Sequence, residues 1–233
     1  MVMKPKVSII IPTYNNLESC LKPCVESIIK NTDLIENELI IVANGCKDGT
    51  IDYVNSLDKS LKIKLIEHKE PLGYTKATNL GILNAEGDYL VFLNNDTILL
   101  DQQYGQWLKM LLYPFKDSNV GITGPLVHAS QGGFEFVVFF CAATTRKLIY
   151  DIGILDESFS PGGAEDIDFC IRAYKKGYIC AVVPDNKLTL QTEYYSGGFP
   201  IYHKAEATVH GLSNWEGILN NNYKKVLDKH GYR

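Results

Sequence analysis

Along the first hundred residues, short β-branched or aliphatic runs alternate with longer stretches whose apolar positions recur at helical spacing. Val7-Ser8-Ile9-Ile10-Ile11, Leu39-Ile40-Ile41-Val42, Ile63-Lys64-Leu65-Ile66 and Tyr89-Leu90-Val91-Phe92-Leu93 read as strands. Between the first two, Leu21, Val25, Ile28 and Ile29 fall on one face and predict a helix from about Leu17 to Lys30. A second helix is expected after Asp48 as its N-cap, and a third from near Tyr74 to Gly87. Such alternation predicts βαβ units, and hence an α/β fold with a mostly parallel central sheet flanked by helices.

Past Leu93 the pattern changes. A helix carrying Trp107, Leu108, Leu111 and Leu112 is followed by strand-like Val120 to Val127 and Phe134 to Thr144, then by a helix from near Ala164. Asn214 to His230 is helical again, with Ile218, Tyr223 and Leu227 on its apolar side. No repeat, low-complexity tract or linker interrupts the chain, so residues 1–233 are expected to form a single domain.

Composition narrows the possibilities mainly by exclusion. With 45% hydrophobic and 21% charged residues the chain has the balance of a soluble protein, and a formal net charge of -4 gives no basic footprint for nucleic acid. The apolar run Val7 to Ile11 is stopped by Pro12, too soon for a signal peptide, and no stretch has the length of a transmembrane span. The six cysteines form no Cys-x-x-Cys pair, so reduced, mostly buried thiols are expected.

In an open parallel sheet, ligands bind beyond the C-terminal ends of the strands. Four polar segments stand there: Pro12-Thr13-Tyr14-Asn15, Asn44-Gly45-Cys46-Lys47-Asp48-Gly49, Glu67 to Gly73, and Asn94-Asn95-Asp96-Thr97. Each could be an ordinary turn; together they outline a site. Asp96 is the candidate metal ligand, because a strand tip delivering a carboxylate suits a hard cation that also takes diphosphate oxygens. Neither G-x-G-x-x-G nor G-x-x-x-x-G-K-[ST] follows any strand, which argues against dinucleotide oxidoreductases and P-loop enzymes.

A second constellation is Gly162-Gly163-Ala164-Glu165-Asp166-Ile167-Asp168. It presents Glu165 and Asp166 in the first turn of a helix behind a glycine pair. Acidic residues there can simply complement the helix dipole, and Asp168 with Arg172 makes an ordinary i, i+4 ion pair. The functional reading makes Asp166 a general base for an acceptor hydroxyl. His210, at the end of a strand-like run and before a glycine, could reach a metal, whereas His68, His128, His203 and His230 stand in no informative context.

Read in order, these blocks resemble the family-2 glycosyltransferases of the GT-A fold over nearly the whole chain. The resemblance rests on Val7 to Asn15, Asn44 to Thr50, Gly73 to Asn79 with Gly81, Leu93 to Thr97, Gly163 to Arg172, and His210. It implies a Rossmann-like nucleotide-sugar-binding half over about residues 1–100 and an acceptor-binding half over about 101–233. Pro12, Thr13, Tyr14 and Asn44 would line the nucleobase pocket, with Lys76, Asn79 and Asn95 near the ribose or diphosphate and Asn15, Gly73 and Asn94 also in the nucleotide-sugar site. Asp96 and His210 would hold Mn2+ or Mg2+, and Asp166, beside Glu165, would be the base of an inverting displacement. Asn44 stands where many members carry Asp, and Asn94 replaces the first Asp of a DXD motif, removing a negative charge from the metal site.

The expected partners are a nucleotide-sugar donor, with UDP-glucose the first choice, and a glycan or glycolipid acceptor. The expected location is cytoplasmic, peripheral to a membrane if the acceptor is lipid-linked. A catalytically inactive nucleotide-sugar or glycan-binding module is the alternative. The intact Asp96, Glu165, Asp166 and His210 speak against it.

Overall fold

The computed structural model describes residues 6–129, 135–183, 189–191, 194–196, 198–205 and 214–231. The first four strands are β1 (Val7–Thr13), β2 (Glu38–Asn44), β3 (Ile63–His68) and β4 (Tyr89–Leu93), as the apolar runs predict. Between them lie α1 (Lys22–Asn31), α2 (Thr50–Ser56) and α3 (Tyr74–Asn84). Then follow β5 (Thr97–Leu99), α4 (Gln106–Leu112), β6 (Val120–Gly124), β7 (Val127–Ala129), β8 (Glu135–Val137) and β9 (Cys141–Thr145). The remaining elements are α5 (Arg146–Ile152), α6 (Glu165–Lys175), β10 (Ile179–Val182), β11 (Thr189–Gln191), β12 (Tyr194–Ser196), β13 (Ile201–His203) and α7 (Trp215–His230).

Seven strands form the central sheet in the order β10-β6-β9-β4-β1-β2-β3. The β1–β2, β2–β3, β1–β4 and β6–β10 pairs are parallel, whereas β9 runs antiparallel to both neighbours. Because side chains alternate across a strand, β1 feeds two cores. Val7, Ile9 and Ile11 pack with Val25 and Ile28 of α1 and Trp107 of α4, while Ile10 packs with Ala77 and Ile82 of α3 and Ile167 of α6. Gly81 lets α3 approach closely, since a Cβ there would overlap the Ile10 side chain. A smaller sheet, β11-β12-β13-β5, places His203 opposite Thr97.

Several boundaries differ from the sequence expectation for local reasons. The first helix opens with a π-helical turn, Leu17–Leu21, in which Asn16 O accepts from both Cys20 N and Leu21 N. Gly49, not Asp48, is the N-cap of α2; the Asp48 carboxylate accepts from Thr50 N and Leu17 N and ties the two helix starts together. Helix α3 ends at Asn84, three residues before Gly87. The apolar runs 120–127 and 134–144 each contain a turn and yield two strands apiece.

Candidate active site

The parallel pairing of β1, β2, β3 and β4 brings their C-terminal loops to one edge. There the first two loops are stapled: Lys47 N donates to Asn15 Oδ1 at 2.7 Å, and Cys46 Sγ lies 3.4 Å from Thr13 O. Asn15 and Asn16 both have positive φ, 53° and 59°, a conformation that asparagine tolerates well. Pro12 is buried at the end of the β1 ladder, and Tyr14 is exposed beyond it.

Asn44 uses both ends of its amide within the chain. Its Oδ1 accepts from Leu72 N at 2.6 Å and its Nδ2 donates to Gly73 O at 3.4 Å, so its direct role is to hold the loop before α3. That loop in turn carries the segment before α6. Ser160 Oγ donates to Leu72 O at 2.8 Å and Tyr74 N to Pro161 O at 2.6 Å. Gly73, with φ of 84°, admits this approach because a Cβ would lie 2.5 Å from Pro161 Cα.

Lys76 stands in the first turn of α3, at the same edge. Asn79 does not join it. The spacing of Thr75, Asn79 and Ile82 puts Asn79 on the inner face of α3, where its amide donates to Leu155 O and Glu157 Oε1 and accepts from Leu155 N. Both ends of its amide are thus engaged within the chain.

After β4, Asn94 N donates to Phe140 O and Asn95 Nδ2 donates to Thr13 Oγ1 at 2.9 Å, fixing the turn to β1 and to the segment before β9. Asp96 is buried, and its Oδ1 lies 3.2 Å from His203 Nε2, whose ring stacks on Phe140 at 4.4 Å and 10°. Lys204 N donates to Asp96 O. His203 is the residue that sequence reasoning passed over: it arrives through pairing between β5 and β13, which no local pattern announces. His210 lies outside the described residues.

Glu165 and Asp166 open α6 after Ala164, which serves as N-cap at φ of 71° without a side-chain cap. Burial raises the pKa of both carboxyls, and the charge of Asp166 raises that of Glu165 further. Glu165 Oε2 has no hydrogen-bond partner among the described residues. Asp166 remains partly open to the site, with Oδ1 accepting from Ile167 N at 2.8 Å. Enough protein surrounds it to weaken its solvation despite that opening.

Tyr74 joins the two constellations. Its hydroxyl donates to Phe139 O at 3.2 Å, and its pKa is raised by burial first, then by the charges of Glu165, Asp166 and Asp96. Tyr74 N also donates to Pro161 O in the segment before α6, and Phe140, next to its Phe139 partner, stacks on His203 beside Asp96, so the start of α3 adjoins both constellations.

Behind the base, Asp168 is fully buried and meets Arg172 Nε at 2.8 Å, Lys229 Nζ at 2.5 Å and His230 Nε2 at 2.8 Å. Burial alone would raise its pKa, but these cationic and donor partners outweigh it and hold the carboxyl below its ordinary value. The i, i+4 pair read from the sequence is therefore one part of a clamp that ties α7 to α6.

A mostly parallel sheet with polar loops gathered at its carboxyl edge is an α/β architecture that binds its ligands there. Residues 8–158 match the family model of glycosyl transferase family 2, more than half of the chain, and the protein belongs to that family with a GT-A fold. Over 113 residues it is 33% identical to the O-antigen chain rhamnosyltransferase RfbN of Salmonella typhimurium, covering 48% of this chain and 34% of that protein. An uncharacterized glycosyltransferase of Haemophilus influenzae is 30% identical over 116 residues, covering 46% of this chain and 43% of that protein. The chain thus spans less than half the length of these relatives.

Two solved structures share the fold at low identity. The mannosyltransferase PcManGT of Pyrobaculum calidifontis, in complex with GDP-Man and Mn2+, superposes with a TM-score of 0.67 at 20% identity, over 79% of this chain and 56% of that one. GalNAc-T7 with UDP, GalNAc and Mn2+ gives 0.70 at 15% identity, over 98% and 48%.

Proposed function

We propose that this chain transfers a sugar from a nucleotide-diphosphate donor to a hydroxyl of a glycan or glycolipid by an inverting single displacement, with Asp166 as general base. The observation that carries this reading is that Asp96 at the tip of β4 and the segment leading into Glu165 and Asp166, tied to the loop before α3 by Ser160 Oγ–Leu72 O and Tyr74 N–Pro161 O, stand at the same carboxyl edge of the sheet. Asp166 takes the proton of the acceptor hydroxyl, whose oxygen forms the new bond to the anomeric carbon as the bond to the diphosphate breaks. Its raised pKa suits a carboxylate that must hold a proton during the reaction. UDP-glucose is the first donor to try.

Among the described residues no cluster of three or more His, Cys, Asp or Glu could hold a metal, so a cation here depends on donor oxygens as well. Asp96 and His203 fit such an ion. Asp96 Oδ1 and His203 Nε2, 3.2 Å apart, would be its protein ligands. An oxygen and nitrogen pair favours Mn2+ over Mg2+, which prefers oxygen alone. When bound, the ion would neutralise charge on the departing diphosphate. Thr13, Asn95 and the loop held by Asn44 would shape the nucleotide pocket, with Tyr14, Asn15 and Lys76 at its rim.

The test is transfer or donor hydrolysis over a panel of nucleotide sugars with and without Mn2+, for wild type beside Asp96→Ala and Asp166→Ala. Metal-dependent turnover of one donor, lost in both variants, supports the reading. Metal-dependent nucleotide binding without turnover, across a broad acceptor panel, would favour the inactive binding module.

A further inference from the structure

The loop after β1 holds a shape that its own residues do not impose. Asn15 and Asn16 follow one another at φ of 53° and 59°, a left-handed corner in which no glycine takes part. A single asparagine accepts that conformation readily, but two in succession need support from outside the loop. The support comes from three consecutive residues after β2, which reach alternate residues after β1. Cys46 meets Thr13 and Asn15, Lys47 N meets Asn15 Oδ1, and the Asp48 carboxylate accepts from Leu17 N at 3.0 Å.

Of these contacts, the one made by Cys46 has the most specific geometry. Its thiol donates to Thr13 O at 3.4 Å, and its sulfur accepts from Asn15 N at 3.3 Å. Those two groups belong to the peptide units on either side of Tyr14. Each unit is planar, so one sulfur that grips both fixes the φ and ψ of Tyr14 between them. Tyr14 itself stands 37% exposed at the rim. Thr13 is held from its other side too, where its Oγ1 accepts from Asn95 Nδ2, next to Asp96. The bond to Thr13 O requires a protonated thiol, and burial raises the Cys46 pKa above its ordinary value, which keeps that proton in place at neutral pH.

We propose that Cys46 is a positioning residue for the donor nucleotide: its thiol sets the backbone of Tyr14, and so the shape that the loop after β1 offers to the nucleotide. The inference rests on the reading of this edge as the nucleotide pocket. Cys46 acts through its neighbours and does not touch the donor. A serine hydroxyl supplies a donor and an acceptor at the same place, whereas an alanine methyl supplies neither.

The experiment compares wild type, Cys46→Ala and Cys46→Ser as full chains. It measures binding of UDP, GDP and dTDP with Mn2+, transfer of whichever donor wild type turns over, and amide exchange of Asn15 without nucleotide. The tightest nucleotide should bind Cys46→Ala about three- to tenfold more weakly, the range of one or two neutral hydrogen bonds, and Cys46→Ser should recover most of the loss. In transfer, Cys46→Ala should raise donor KM by a similar factor while kcat and acceptor KM stay near wild type. Exchange at Asn15 N should quicken in Cys46→Ala and slow again in Cys46→Ser. Equal nucleotide affinity in wild type and Cys46→Ala, a loss that serine does not recover, or unchanged exchange at Asn15 overturns the positioning role. So does a loss spread over both KM values and kcat with a lowered Tm, which marks a general loosening of the fold. Wild type that binds none of the three nucleotides is a distinct result, because it strikes the transferase reading itself and the positioning role falls with it.

Discussion

Asp96 and the Glu165–Asp166 pair are held by different means. Asp96 sits at a strand tip among neutral partners: Asn95 bonds Thr13, Asn94 bonds Phe140, and backbone pairing of β5 with β13 delivers His203. Glu165 and Asp166 open a helix, in surroundings that disfavour their charge, and the helix is kept in place by the ionic clamp from Asp168 to Arg172, Lys229 and His230. The sheet side is rigid through main-chain ladders. The base side spends stability on burying carboxylates and recovers position through α7.

The sharpest way to separate the two sides is Asp166→Asn. It should lower kcat by about 10²- to 10⁴-fold, the usual worth of a general base, while nucleotide affinity stays near wild type because the sheet side is untouched. Asp168→Ala attacks the clamp instead. Removing one partner of a buried ionic group typically costs about 3–5 kcal/mol, so denaturant unfolding should show a large loss even though Asp168 does not touch the reaction space.

Asn44→Ala tests the sheet side. Leu72 N would lose its acceptor, a cost of about 1–3 kcal/mol, and the loop beneath Gly73 would loosen. The expected signature is a raised donor KM with a smaller change in kcat; equal losses in both would mean that the loop also sets the base.

The smallest effect concerns Glu165→Gln, read through pH. A carboxyl whose folded pKa is raised above its unfolded value contributes stability that is full below the unfolded pKa and is lost as pH rises through the folded one. At pH 8 the charge of Glu165 is therefore a burden, and the amide should raise Tm. Near pH 4, where the wild-type carboxyl is already protonated, the gain should vanish. A gain independent of pH would mean that burial of the charge is not the cause.

How much of this was legible in the sequence follows the same division. Strands β1 to β4 and the loops after them rest on local alternation and parallel order, so Thr13, Asn95 and Asp96 could be placed at one edge from the pattern alone. Asn79 could not, because the helical face it occupies is set by Leu155, seventy-six residues away. His203 was hidden for the same reason: its neighbour Asp96 is reached by a three-residue strand with no distinctive periodicity. Asp168 looked like one half of a helical ion pair until α7 supplied Lys229 and His230. Contacts within a βαβ unit leave a sequence signature, and these contacts between residues far apart in sequence leave none.

The central claim is that Asp96 and Asp166 serve one reaction from opposite sides. The most direct test is calorimetric titration of UDP with and without Mn2+ into wild type, Asp96→Ala and Asp166→Ala, beside transfer assays on the same samples. The account predicts that Mn2+ tightens UDP in wild type and Asp166→Ala but not in Asp96→Ala, and that both variants lose transfer. Equal tightening in all three proteins, or transfer that survives in Asp166→Ala, would contradict it.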